Sequence, residues 1–135
     1  MSQKVLQPDG WPRPSGYANG IAASGTMVFV SGMIGWDQHQ QLVSEEFVLQ
    51  ARQALQNIVD VLASGGAEPA HVVRLTWYVT DKAEYLAQRK ALGAVYREIF
   101  GRHFPAMTAV QVAALMEDGA KVEIEATAVI PSRNV

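Results

Sequence analysis

The sequence contains no cysteine, and this absence excludes several kinds of chemistry at once. A chain without thiols has no disulfide, no thiolate metal ligand and no cysteine nucleophile, which fits a reducing compartment. The three histidines (His39, His71 and His103) do not have the spacing of metal ligands. Neither a Gly-x-Ser-x-Gly elbow nor a phosphate-binding glycine loop occurs. We therefore expect no metal and no cofactor.

Long apolar runs and clusters of one charge are also missing. No apolar stretch approaches the ~20 residues that a membrane-spanning helix needs, and the first 14 residues have no apolar signal segment. Eleven basic and thirteen acidic residues give a net charge of −2, without a Lys/Arg cluster along the sequence. Nucleic-acid binding requires a basic surface that neutralises phosphates. We expect a cytoplasmic protein that binds neither membranes nor nucleic acid.

The length and composition predict a single globular domain. The chain has 135 residues, of which 49% are hydrophobic, and this is enough for one core but not for two domains. Proline and glycine are dense between Gln7 and Gly16, so no helix is expected there. We predict an N-terminal arm or loop over residues 1–16, one domain over residues 17–131 and a tail over residues 132–135.

Hydrophobic periodicity predicts strands and two helices in the first two thirds of the domain. Segments 21–24, 27–31 and 34–36 resemble consecutive strands of a meander, and segment 71–80 resembles a later strand. Ser44 before two glutamates predicts a helix start, and Gly65-Gly66 predicts its end. A second helix is predicted from Asp81 to Gly101. Each apolar helix stripe must pack on a sheet, so we expect a two-layer α+β fold.

The last third of the chain has the alternation of two further strands, which we interpret as a hairpin of segments 103–115 and 122–128. In the first arm Met107 and Ala109 share one face, and Thr108 lies on the other. In the second arm Glu123 and Glu125 share a face opposite an apolar one. For an arbitrary hairpin, such carboxylates would belong to a solvated outer face.

These last two segments carry a family resemblance. Pro-Ala-x-Thr-x-Val-x-Val at 105–112, followed by Val-Glu-Ile-Glu-Ala-x-Ala at 122–128, closely resembles the C-terminal signature of the RidA/YjgF family, the reactive-intermediate (enamine and imine) deaminases. Segments 28–32, 53–57 and 72–81 match in the same order, and the resemblance runs from about residue 17 to residue 129. It implies one mixed six-stranded sheet with two helices on one face, in the chorismate mutase-like RidA fold.

The face without helices is expected to mediate self-association. By alternation it carries an apolar set that is unusual for a monomer, so we expect a closed homo-oligomer. The set is Met27, Phe29, Val72, Tyr78 and Met107. The resemblance implies a homotrimer with each site at a junction between subunits.

The resemblance also implies the site residues. Glu123 matches the carboxylate that positions the attacking water, and the carbonyl of Ala109 would help to hold that water. Hydrolytic deamination needs such a base, and a partly buried glutamate suits the task. The residues implied at the substrate are Tyr17, Ser31, Gly32, Lys90, Met107, Thr108 and Ala109.

One departure from the family pattern bears on the substrate. Where deaminating members carry an arginine after Pro-Ala, this chain has Met107, which cannot bind a carboxylate through two parallel hydrogen bonds. We therefore expect an imine or enamine other than the common small 2-iminoacids. The candidate replacement cations are Lys90, Arg13, Arg74, Arg102 and His103.

Two other functions remain as alternatives. A ligand-binding or sensing trimer without turnover would result if water positioning survived where substrate capture was lost. Some relatives carry ribonuclease or translation-inhibitor labels, and the composition of this chain gives those activities no support.

Overall fold

The structure, a computed structural model, describes residues 3–132 and has the expected α+β architecture. The strands are β1 (Gln3–Leu6), β2 (Gly20–Ala23), β3 (Gly25–Met33), β4 (Val72–Val79), β5 (Ala106–Gln111) and β6 (Val122–Pro131). The helices are α1 (Phe47–Ser64), α2 (Lys82–Ala87) and α3 (Arg89–Phe100), and a short 3-10 turn, Pro69–His71, precedes β4. The segment between Gln7 and Gly16 has no helix or strand, whereas β1 lies in the arm that was predicted to be irregular.

The six strands form two sheets rather than the single six-stranded sheet that was expected. Four of them form a mixed sheet in the order β3-β6-β4-β5, in which β4 and β5 are parallel and the other pairs are antiparallel. The other two, β1 and β2, pair with each other. A single bridge joins the chain before β2 to the start of β5, where the Ala18 N–H donates to the Pro105 carbonyl at 3.0 Å.

The predicted hairpin and the predicted meander are both wrong in their pairing. Strand β4 lies between β5 and β6, so Thr76 faces Thr108 on one side and Glu125 on the other. Hairpin connections usually contain two to five residues, but segment 112–121 is long enough to pass across β4. In the meander, β2 pairs with β1 and not with β3. Alternation identifies strands but does not identify their partners.

The helix ends follow the predicted signals, with two differences. Helix α1 ends at Ser64 before Gly65, and Asp81 caps α2 by accepting the Glu84 N–H at 3.1 Å. Ser44 instead accepts the Glu46 N–H at 2.9 Å in a turn before α1, and the helix begins at Phe47 without a side-chain cap. The predicted second helix is divided into α2 and α3 at Gln88.

The core lies between one face of the four-stranded sheet and helices α1 and α3. We call this the helical face, and its fully buried residues include Leu55, Ile58, Leu62, Leu75 and Ile124. We call the opposite side the open face, and it carries Phe29, Glu123, Glu125, Arg74 and Tyr78.

The open face is less apolar than the alternation of the sequence predicted. Met27 and Phe29 do lie there and are 56% and 69% exposed. Val72 is fully buried in the core, because an irregularity between Val72 and Arg74 shifts the register of β4. Met107 faces the core as well, because it pairs with buried Leu75.

Two amide side chains of α1 hold the ends of the strands that carry the predicted site. Gln50 is fully buried, donates to the carbonyls of Ser44 and Gly119, and accepts the Lys121 N–H at 2.8 Å just before β6. Asn57 donates to the carbonyls of Ile34 (3.1 Å) and Trp36 (2.9 Å), just after β3. These bonds fix the loops beside Glu123 and Gly32.

Residues 3–132 include no helix that is long and apolar enough to cross a bilayer.

Candidate functional site: two groups on opposite faces of the sheet

The predicted site residues form two groups on opposite faces of the four-stranded sheet. Four of them lie on or beside the open face: Ser31, Gly32, Thr108 and Glu123. The other four line a cavity on the helical face: Tyr17, Lys90, Met107 and Ala109. Neighbouring residues of β5 therefore belong to different groups, because their side chains alternate. Glu123 and Met107, predicted to share a face, are on opposite faces.

Glu123 lies against the backbone of Gly32. A register shift between Val30 and Met33 brings Gly32 toward β6, and a Cβ added to it would come within 2.7 Å of the Glu123 carboxyl carbon. An added side chain at position 32 would displace that carboxylate, so the glycine permits the close approach of Glu123. Glu123 is half-buried and makes no side-chain hydrogen bond to another residue of segment 3–132.

The second carboxylate of β6 has a partner. The hydroxyl of Tyr78 donates to Glu125 Oε1 at 2.6 Å, and this bond holds the pKa of Tyr78 above its usual value. A small pocket of about 370 Å³ lies beside the pair and is also lined by Phe29, Ser31 and Arg74. The two glutamates therefore differ, because Glu125 is engaged within the sheet and Glu123 is available to a bound molecule.

The larger cavity lies between β5, the N-terminal segment and helices α2 and α3. Its volume is about 900 Å³, within the range of small-molecule sites. Met107 and Ala109 form its wall on the sheet side. Its aromatic lining consists of Tyr17, Trp77, Tyr85, Tyr96 and Phe104.

Aromatic residues of the cavity lining pack against one another. Tyr96 stacks on Phe104 with 5.4 Å between ring centroids, and its hydroxyl donates to the His103 carbonyl. Burial raises the pKa of Tyr96 well above its usual value, so this phenol stays protonated. Trp77 is only 6% exposed.

Three cations line the same cavity, and two of them were not singled out in the sequence. Among residues 3–132 they are Arg89, Lys90 and Arg97, all on α3, and no aspartate or glutamate of this part of the chain lines the cavity. Arg89, Gly93 and Arg97 are spaced by four residues and so follow one side of the helix. That spacing was a signal for Arg89 and Arg97, but it became meaningful only once α3 was placed beside β5.

The remaining candidate cations lie elsewhere. Arg74 is on the open face beside the small pocket, and Arg13 and Arg102 are exposed outside both pockets. A ring nitrogen of His103 lies 2.6 Å from the Val72 carbonyl oxygen, which gives this histidine a structural contact. Lys90 is thus the one predicted replacement cation that lines the cavity with Met107. Within residues 3–132 no cluster of side chains is arranged to hold a metal ion.

Comparisons with known proteins agree with this fold. Residues 12–130 match the family described as Endoribonuclease L-PSP. The chain is 36% identical over 136 residues to Protein DfrA of Myxococcus xanthus, covering 96% of this chain and 97% of that protein. It is 36% identical over 103 residues to the human 2-iminobutanoate/2-iminopropanoate deaminase, covering 76% of this chain and 72% of that protein.

A solved structure has a similar fold over the whole length. It is the Rid-family protein YyfB from Yersinia pestis, with a TM-score of 0.85 and 31% sequence identity. The match covers 96% of this chain and 100% of that one.

Proposed function

This chain belongs to the RidA/YjgF family, and we propose that it is a hydrolytic deaminase of an imine or enamine. The observation that carries the proposal is the position of Glu123, whose half-buried carboxylate lies against Gly32 without a hydrogen-bond partner in segment 3–132. Such a carboxylate can orient and deprotonate a water molecule. Relatives named as 2-iminobutanoate/2-iminopropanoate deaminases support this chemistry.

The reaction needs one group that first accepts a proton and then returns it. Glu123 would accept a proton from water as the water oxygen attacks the carbon of the C=N bond. The same group would return that proton to the nitrogen, which gives a carbinolamine. It would then take the remaining proton of the new hydroxyl and pass it to the nitrogen, so that the C–N bond breaks, ammonia leaves and a C=O bond forms. The pair formed by Tyr78 and Glu125 keeps the second carboxylate out of this role.

We further propose that the protein acts as a homotrimer and that the two groups of site residues meet between subunits. Within one chain the sheet separates Glu123 from the cavity of Met107 and Lys90. Association through the open face would cover Met27 and Phe29, which are 56% and 69% exposed, and would bring Glu123 toward a neighbouring cavity. Equilibrium sedimentation should give a mass three times the 14.7 kDa of one chain. A monomer at assay concentration would contradict this assembly.

The substrate is proposed to differ from the small 2-iminoacids. Met107 presents a flexible apolar side chain to the cavity at the position where the resemblance implies an arginine. Each lost charge-assisted hydrogen bond lowers affinity by about tenfold to a hundredfold. The loss of that arginine therefore favours a larger substrate over a small iminoacid.

The test is ammonia release from a panel of freshly generated imines. The panel contains small 2-iminoacids, aminomuconate-like enamines and uncharged enamines, and it is run with the native protein and with Met107→Arg. Native protein should act on a larger or uncharged member, and Met107→Arg should shift the preference toward small iminoacids. Thermal unfolding of both proteins shows whether the variant is folded.

The role of Glu123 is tested on the best substrate of the panel. Glu123→Gln should lower the rate by about 10²-fold to 10⁴-fold, because a general base is removed. Glu117→Gln, which removes the same charge from an exposed loop, is the matched control and should keep the native rate. An unchanged rate in Glu123→Gln would exclude the proposed base. No ammonia above the spontaneous rate from any imine would favour the ligand-binding trimer instead.

A further inference from the structure

The cavity on the helical face has a charge that the rest of the chain does not share. The chain carries thirteen acidic and eleven basic residues, yet the cavity lining formed by the described residues, 3–132, has three cations and no carboxylate. A concave wall with charges of one sign concentrates the field and attracts ligands of the opposite sign. The cavity is therefore suited to an anion.

The three cations are not occupied by ion pairs within residues 3–132. The two salt bridges there join Arg52 to Glu98 and Lys121 to Glu84, and neither involves a residue of the cavity. Arg89, Lys90 and Arg97 are all exposed toward solvent. Their donors are available to a bound molecule.

Gly93 lies in the middle of α3, where glycine is unusual, and the closeness of Arg97 explains why a glycine occurs there. Glycine is a poor helix residue, and Gly93 does not have the positive φ that would require it. A Cβ built at this position would lie 3.3 Å from Arg97 Nη1, which means that the guanidinium lies directly over the glycine. The missing side chain leaves space for Arg97 at the wall of the cavity.

The aromatic part of the cavity lining favours a ligand of a particular shape. Five aromatic side chains and Met107 surround a volume of about 900 Å³, and aromatic rings favour flat partners that can stack on them. Tyr96 and Phe104, which belong to this lining, already stack on each other. A planar molecule with an anionic end can stack on the aromatic rings and bind the cations of α3 at the same time.

We propose that this cavity binds a planar, conjugated or aromatic carboxylic acid, with its carboxylate held by Arg97 and Arg89 beside Gly93. The carboxylate site is thus on α3 and not at position 107 of β5. This inference rests on the proposed deaminase function only in taking the ligand to carry a reacting C=N group. The binding of the carboxylate depends on the cavity alone.

Binding is tested by calorimetric titration of the native full-length protein with 2-naphthoate, beside its uncharged analogue 2-naphthamide. Naphthoate should bind more tightly than the amide, and Arg97→Gln should weaken naphthoate by about tenfold to a hundredfold. The amide should be nearly unaffected by that variant. Arg102→Gln removes the same charge from an exposed position outside the cavity and should bind naphthoate as the native protein does.

Gly93→Ala separates a role in binding from a role in folding. Alanine is the better helix residue, so thermal unfolding should be unchanged or occur at a higher temperature. Its Cβ displaces the Arg97 guanidinium by a few tenths of an ångström or more, so naphthoate affinity should fall severalfold. A stabilised variant with native affinity would overturn the role of Gly93.

The outcomes distinguish this inference from the proposed reaction. If naphthoate and naphthamide bind equally, or if neither Arg97→Gln nor Arg89→Gln weakens naphthoate, the carboxylate site is wrong even when imines release ammonia. If Arg97 is required for naphthoate but no imine is hydrolysed, the site stands and the deaminase proposal fails. Because Arg89→Gln is a second variant, the inference remains testable if Arg97→Gln does not fold.

Discussion

The two faces of the four-stranded sheet differ in shape and in charge. The helical face has a cavity of about 900 Å³ beside α3, with an aromatic lining and Arg89, Lys90 and Arg97, whereas the open face has a pocket of about 370 Å³ and carries Glu123 and Glu125. One face thus has the features of a binding site for an anionic ligand, and the other has a carboxylate suited to proton transfer. In the assembly that we propose, recognition and chemistry are divided between the two faces, and a second subunit brings them together.

The largest effect is expected at β6, the strand that carries residues of both faces. Ile124 on β6 is fully buried and lies between Glu123 and Glu125 in sequence. Ile124→Ala should lower the free energy of unfolding by about 2–5 kcal/mol, since it removes buried methyl groups and leaves a cavity. Urea unfolding measures the change. Met116→Ala, at a position that is 97% exposed, should stay within about 0.5 kcal/mol of the native protein.

A change confined to the open face should lower ammonia release without changing ligand binding on the helical face. In Gly32→Ala the added Cβ meets the end of the flexible Glu123 side chain, so the carboxylate moves and the backbone need not. Ammonia release should fall by about 10²-fold, because a small misplacement of a reacting group is costly. Naphthoate binding on the helical face should be unchanged.

The control for that variant is Gly65→Ala, where the nearest atom to an added Cβ is 3.6 Å away. It should keep both the rate and the binding of naphthoate. Native activity in Gly32→Ala would mean that the contact with Glu123 is not needed for turnover.

The smallest effect concerns the second carboxylate of the open face. The hydrogen bond to Glu125 raises the pKa of Tyr78 above its usual 10.0, so the bond stabilises the fold fully below pH 10 and is lost as the pH rises through the raised value. Absorbance at 295 nm, taken as the difference between native protein and Tyr78→Phe, should show ionisation above pH 10. In Glu125→Gln that ionisation should move to lower pH. If Tyr78 ionises at the same pH in the native protein and in Glu125→Gln, the hydrogen bond does not control the pKa of Tyr78.

Local signals predicted the elements well and their arrangement poorly. Gly65 ends α1, Asp81 caps α2 and Gly101 follows α3, as their residue types indicated. The pairing of β5 and β6 was predicted wrongly, because both strands alternate in the same way whether they are neighbours or are separated by β4. The N-terminal strand β1 was missed, since its short segment lies in an arm rich in proline and glycine.

The motifs named the candidate site residues but not their geometry. The motif residues Glu123 and Gly32 lie against each other, and a glycine is the residue type that permits so close an approach. Strand alternation placed Met107 on the face without helices. Its pairing with Leu75 turns it to the other side. Arg89 and Arg97 had no signal strong enough to distinguish them from solvated helix residues.

The sequence by itself determined the family, the α+β class and the helix ends marked by Gly65, Asp81 and Gly101, because motifs, caps and periodicity are local properties. The tertiary structure decided which strands pair, which face each side chain occupies and which cations reach the cavity. Those features depend on contacts between residues that are distant in sequence, and a shift of one residue in a strand reverses every face. Whether Met107 or Arg97 meets a carboxylate is therefore a question of strand order and helix placement.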